Sequence, residues 1–283
     1  IVHRGAASLT ARTENGLGTD PPTAEFCCRP APPVLEFDPS GKVVSSWGGP
    51  GEGYDWPESP GGIAVDAKGM VWIAAAGFPD ATPRGGRGGR GAQTETPPPP
   101  PRPVDAHVLQ FTRSGKFVRQ IGKPGVTEGS ASRTSLNRPA GLEVDAAANE
   151  LYVADGHGNR RIVVFDATSG EYKRHWGAYG TAPDDATSGA YDPAAPPAKQ
   201  FRTVSCVTIA RNGLVYVCDR QNNRIQVFDK SGKFVKEAIV AKGTLANGAD
   251  WDIALSADSA QRYLFVADGT DQKIFILERD TLT

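Results

Sequence analysis

The stretch PAGLEVDAAANELYVADGHGNRRIVVFDATSGEYKRHWG (139–177) recurs, with substitutions, as TVSCVTIARNGLVYVCDRQNNRIQVFDKSGKFVKEAIV (203–240). Each copy reads as four short strands. The runs are alternating or wholly apolar, rich in Val, Ile, Leu, Tyr and Phe, and broken by Asn-Gly, Ser-Gly or Asp-containing turns. A third, shortened copy is WDIALSADSAQRYLFVADGTDQKIFILERDTLT (251–283). PGGIAVDAKGMVWIAAAG (60–77), resumed by HVLQFTRSGKFVRQIG (107–122), is a copy split by an insertion, and VLEFDPSGKVVSSWG (34–48) is the second half of another. Phe37, Phe111, Phe165 and Phe228 fall at one place in the third strand, where the last copy has Leu277. A four-stranded unit recurring about every 40 residues, insertions aside, is the signature of a β-propeller blade. A helical solenoid would need long runs at helical period, and none occurs.

The fold class is therefore all-β, a single β-propeller domain over 1–283. The blades fall at 1–49 (lacking its first strand), 50–125 (carrying an insertion at 77–105), 136–180, 201–243 and 248–283 (lacking its last). IVHRG at the start superposes on YVADG (152–156) and YVCDR (216–220), the end of a second strand. An open propeller would leave unpaired strand edges, which folded proteins avoid. The expectation is a six-bladed ring of which this chain covers about five blades, its closing strands lying outside. A five-bladed ring, or open edges completed by a partner in an assembly, are the alternatives.

Hydrophobic residues make up 39% and charged residues 22% of 283, a globular balance with no run long enough to span a bilayer. Net charge is -1, so no global field points to nucleic acid or an anionic membrane, and neither nucleic-acid binding nor membrane insertion is expected. Gly (33) and Pro (23) are abundant against a single Met, which suits many turns and few long helices. GFPDATPRGGRGGRGAQTETPPPPPRPVD (77–105) has no apolar period and reads as a decorating loop between second and third strands, although Arg-Gly-Gly repeats and polyproline can each recruit partners. A second loop, 180–200, reads as a surface connection.

In a propeller, first strands start beside the central channel, and the loop from second to third strand emerges at the same face. Residues at those places converge whatever their separation in sequence. They are Arg4, the Cys27–Cys28 loop, Gly61, Asp155 with His157, Ser205 with Cys206, Cys218 to Arg220, Trp251 with Asp252, and Asp268. Arg4 and Arg220 suit bidentate capture of a carboxylate, or else a structural ion pair. His157, between two glycines, is a candidate acid/base or an ordinary exposed histidine. Arg161 and Arg224, in a recurring D-x-x-N-x-R-I motif, read as braces between blades.

HRG (3–5), FVRQIG (117–122), VADGHGNRRIVVFD (153–166) and CDRQNNRIQVF (218–228) resemble NHL repeats, and in particular the lyase domain of the peptidylglycine α-amidating enzymes and related bacterial secreted propellers. The resemblance implies an NHL-type propeller in an extracytoplasmic, secreted or periplasmic setting. It places Arg4 and Arg220 where the lyase has two arginines beside its substrate, and His157 where it has a catalytic tyrosine. It also implies three zinc-binding histidines at first-strand starts in alternate blades. Here the first two positions are Gly61 and Ser205, and the third falls in the blade the chain lacks. His107 and His175 lie in a third and a fourth strand, away from the axis. A zinc site needs three protein ligands, so no metal or other cofactor is expected, with an altered metal site left open.

Cys206 and Cys218 flank the turn at Asn212-Gly213 and pair across it as a disulfide or as two buried thiols. Cys27 and Cys28 pack, form a disulfide, or chelate a soft metal. The reading is a non-catalytic propeller that binds a protein, peptide or small anionic ligand through Arg4, His157, Arg220, Trp251 and Asp252. The alternatives are an enzyme descended from the lyase, with His157, Arg4 and Arg220 as its catalytic candidates, and a structural subunit of an extracellular assembly.

Overall fold

A computed structural model describes residues 1–3, 31–77, 103–186 and 189–283. Its strands form five antiparallel sheets, each meandering in chain order. The first holds β1 (Val34–Phe37) and β2 (Val43–Trp47). The second holds β3 (Pro60–Val65), β4 (Val71–Ala75), β5 (His107–Phe111) and β6 (Phe117–Gly122). The third holds β7 (Gly141–Asp145), β8 (Glu150–Asp155), β9 (Arg161–Asp166) and β10 (Tyr172–Trp176). The fourth holds β11 (Val204–Ile209), β12 (Val215–Asp219), β13 (Arg224–Phe228) and β14 (Phe234–Ile239), and the fifth β15 (Asp250–Leu255), β16 (Tyr263–Asp268) and β17 (Lys273–Glu278). The chain is all-β and arranged as a propeller. Among the described residues no helix is long and apolar enough to cross a membrane.

The strands lack clean alternation because each inner sheet is buried on both faces. From β8 and β9, Tyr152, Ala154, Ile162 and Val164 pack against Val207, Val215, Val217 and Phe228 of the fourth sheet. The intervening Leu151, Val153, Val163 and Phe165 pack the other way, with Trp72, Ala74 and Val108 of the second. A two-sided apolar strand between two sheets is what makes the repeat read as continuous hydrophobic runs.

Turn glycines set the distance between neighbours. Gly232, at φ 91°, sits where an added Cβ would lie 2.7 Å from the Trp176 ring of the preceding sheet. Gly115, at φ 86°, stands in the same relation to Trp47, also at 2.7 Å. Only glycine combines that backbone with that approach.

Candidate functional site

The inner strands β3, β7, β11 and β15 surround a central cavity of 490 Å³, whose lining includes Gly61, Gly141, Glu143, Cys206, Thr208 and Asp252. Three of these strands shift register at their first residues: β3 between Pro60 and Ile63, β11 between Val204 and Cys206, and β15 between Asp250 and Asp252. Such bulges re-aim side chains. In β15 the shift leaves the consecutive residues Trp251 and Asp252 both more accessible than the buried Asp250 and Ile253 that flank them.

Four side chains meet at the rim near the start of β15. The Arg220 guanidinium, just beyond β12, lies 4.7 Å from the centroid of the Trp251 ring, a cation–π geometry. Trp251 is held by its indole N–H, which donates to the Gly248 carbonyl at 3.0 Å. His157 lies between β8 and β9, and Arg138, just before β7, donates from Nη2 to the His157 carbonyl oxygen. The glycines flanking His157 answer to space: a Cβ at Gly156 would fall 2.3 Å from Val204, and one at Gly158 would fall 2.1 Å from the Asn137 side chain.

The electrostatics of the rim are cationic. Burial pushes the His157 imidazole down to about 4, and the neighbouring Arg220 and Arg138 charges push it further in the same direction. Burial also lowers Arg138 and Arg220. Among the described residues, His157 Nε2 and Arg220 Nε are buried without a hydrogen-bond partner. The structure thus brings His157, Arg220 and Trp251 together and adds Arg138. Asp252 lines the central cavity, where burial raises its carboxyl. Glu143, in the same cavity, is pushed up to about 7 by burial, partly offset by a hydrogen bond with Thr208. The signal for Glu143 in the sequence was an acidic residue amid an apolar first strand; Arg138 carried none. Arg4, Cys27 and Cys28, and the body of the 77–105 insertion, lie outside the described residues.

The aspartates at second-strand ends do not line the channel as the topology led one to expect. Asp155 and Asp219 are fully buried and ion-paired, Asp155 with Arg161 Nε at 2.9 Å and Asp219 with Arg224 Nε at 2.8 Å. The two arginines hold the connections that lead into their own sheets. Arg161 donates to the carbonyls of Ser130, Ser132 and Ser135, and Arg224 to Tyr179 Oη and the Gln200 carbonyl.

The positions that the resemblance assigns to zinc do not fit that metal. Gly61 offers no donor, and the Ser205 hydroxyl is committed to the Asp250 carbonyl at 2.8 Å. His107 is buried, with Nε2 on the Asp55 carbonyl at 2.7 Å, and His175 Nδ1 lies 3.1 Å from Tyr172 Oη. Among the described residues no three His, Cys, Asp or Glu side chains are grouped to hold a metal. Cys206 and Cys218 are direct cross-strand partners joined in a disulfide, with Cα atoms 5.0 Å apart.

Residues 136–165 and 201–228, which span β7–β9 and β11–β13, match the NHL repeat family. NHL repeat-containing protein 3 of Mus musculus is 28% identical over 172 residues, covering 59% of this chain and 40% of that protein. Peptidyl-glycine alpha-amidating monooxygenase B of Xenopus laevis is 33% identical over 109 residues, covering 38% of this chain and 11% of that one. The chain thus spans less than half the length of these relatives. Among solved structures, a streptogramin B lyase superposes with a TM-score of 0.50 at 13% identity, covering 86% of this chain and 57% of that one, a likeness of fold alone. This chain is a β-propeller carrying NHL repeats in its third and fourth sheets, homologous to NHL repeat-containing protein 3 and to the peptidyl-glycine alpha-amidating monooxygenases.

Proposed function

We propose that this propeller binds a small anionic ligand, or the acidic end of a peptide, at the rim site of Arg220, His157, Arg138 and Trp251. The observation that carries this reading is the convergence of two arginines on one histidine, with a buried guanidinium donor and a buried ring nitrogen left over. Arg220 Nε and His157 Nε2 are buried with no protein partner among the described residues, and a buried polar group without a partner is costly. A carboxylate accepts such bonds in charge-assisted form. Asp252, which lines the central cavity, belongs to this reading as a neighbour of Trp251.

Binding is favoured over catalysis by the state of His157. An imidazole held near pKa 4 is a weak proton acceptor at neutral pH, where an effective base has a pKa close to the ambient value. No cofactor is needed for this function. The disulfide supports an extracytoplasmic location, because such bonds persist in oxidising compartments.

The test is calorimetric titration of the full chain with acetate, glycolate, N-acetylglycine and short peptides ending in a free carboxylate. At least one should bind, and Arg220→Ala should weaken it about tenfold or more, as expected for a lost charge-assisted bond. No binding at millimolar ligand, or an unaffected Arg220→Ala, overturns the proposal. Turnover of an α-hydroxyglycine-type substrate would establish the enzyme reading in its place.

A further inference from the structure

The fifth sheet breaks a pattern that the third and fourth keep. Asp155 Oδ2 accepts from Asn159 Nδ2 at 2.7 Å and Arg161 Nε at 2.9 Å. Asp219 Oδ2 accepts from Asn222 Nδ2 at 2.7 Å and Arg224 Nε at 2.8 Å. Asp268 ends β16 at the same place, and its Oδ1 accepts the backbone N–H groups of Thr270 at 3.0 Å and Asp271 at 2.9 Å. The residues that would serve its second oxygen have changed. Asp271 stands in the place of the asparagine and Lys273 in that of the arginine. Asp271 Oδ2 accepts from Thr244 Oγ1 at 2.8 Å, and Lys273 is exposed. Asp268 Oδ2 is left buried and unpartnered among the described residues.

Directly across the ladder from Asp268 is Asp250, at the register where the fourth sheet sets the buried Val204 against Asp219. Asp250 is 0% exposed, and neither of its carboxylate oxygens has a partner. Burial raises its carboxyl well above the usual range, and the Asp219 and Asp268 charges raise it further. One sheet has therefore lost a buried cation and gained a buried carboxylate, leaving three orphaned acceptor oxygens in one place. A buried charge persists only if it is neutralised or paired. A proton shared between Asp250 and Asp268 would satisfy two of the three oxygens and leave the third. A hard divalent cation, which takes several oxygen ligands at once, would satisfy all three.

The structure assigns to Asp250 and Asp268 a site for a hard, oxygen-seeking cation of the Ca²⁺ class, at the junction of β15 and β16. Two carboxylates supply only part of the shell that such a cation takes, and water would have to supply the rest. The carboxylates are distinct from the residues of the anion site at the rim, although Asp250 directly precedes Trp251, and the assignment does not rest on that reading.

Terbium, a luminescent stand-in for Ca²⁺, tests this on the full chain after chelator treatment, with the adjacent Trp251 as sensitiser. One equivalent should give tryptophan-sensitised emission that Ca²⁺ displaces. Ca²⁺ at about a hundredfold excess over its Kd should raise the thermal midpoint by roughly 5 °C. Asp250→Val, which installs the residue of the fourth sheet, should abolish both responses. Asp250→Asn should weaken terbium binding about tenfold or more. Emission that survives in both variants places the ion elsewhere and overturns the assignment. So does a wild-type chain with neither emission nor a Ca²⁺ shift, in which case the pair holds a proton.

Discussion

The Arg220 guanidinium lies 4.7 Å from the centroid of the Trp251 ring, linking the residue just beyond β12 to the start of β15 across two sheets. Arg220 is thereby held by a flat apolar surface rather than by a carboxylate, so its charge stays available to a ligand. If the rim binds a carboxylate as proposed, Arg220→Lys should lose most of that affinity. Lysine keeps the charge but has neither the planar fork nor the same stacking on the indole. Calorimetric titration with the best-binding carboxylate reads this directly, and a Lys variant equal to wild type would mean that charge alone suffices.

The pH dependence of stability should show two opposed contributions. His157 falls from 6.5 to about 4 in the folded chain, so the unfolded state binds more protons between those values and stability is lost as pH drops from 6.5 toward 4. Glu143 rises from 4.5 to about 7, so its contribution is full below 4.5 and lost as pH rises toward 7. Between pH 4.5 and 6.5 the two slopes, each at most about 1.4 kcal/mol per pH unit, oppose one another. Glu143→Gln should uncover a stability that climbs with pH in this window, and His157→Gln one that declines. Urea midpoints at pH 4.5, 5.5 and 6.5 distinguish these from parallel curves.

The repeat's arginines should differ sharply in worth. Arg224 is fully buried against Asp219, so Arg224→Ala leaves a buried carboxylate unpaired and should cost about 3–5 kcal/mol. Lys273 holds the same place in the fifth sheet but is exposed, so Lys273→Ala should be close to neutral. Equal losses in urea unfolding would contradict the burial on which the contrast rests.

The architecture was legible in the sequence because a propeller sheet repeats its constraints. Phe111, Phe165 and Phe228 recur because each must fill the same gap beneath the preceding sheet, and Gly115 and Gly232 recur because each must clear a tryptophan. His157, Arg220 and Trp251 could be nominated together because strand ends converge by topology. Arg138 could not, since its place depends on a left-handed backbone at φ 55° that aims it at the His157 carbonyl. Nor could the inward turn of Asp155 and Asp219. Topology brought their Cα atoms to the rim, whereas two buried arginines decided where their carboxylates went. Asp250 and Asp268 sit in the repeat in plain view, but their conflict emerges only when the lost arginine and the gained aspartate are seen to face each other.

The Cys206–Cys218 bond closes a short loop, with a sequence separation of 12, inside the fourth sheet. Cys206 is 4% exposed and Cys218 is fully buried within the core shared with the fifth sheet, so a thiol reagent reaches the sulfurs only after local opening. Two outcomes follow. The native chain should resist dithiothreitol until urea approaches the unfolding midpoint. The double variant Cys206→Ala and Cys218→Ala should lose about 2–3 kcal/mol, since a loop of this size contributes roughly that by restricting the unfolded chain. Non-reducing peptide mapping, which separates this pair from Cys27 and Cys28, should recover the two peptides linked. Rapid reduction of the native chain would show that the β11–β12 ladder opens far more readily than its burial implies. A double variant as stable as wild type would show that cross-strand packing of Val207 with Val217 and of Thr208 with Tyr216 already fixes the register, leaving the bond as a mark of the compartment in which the protein folds.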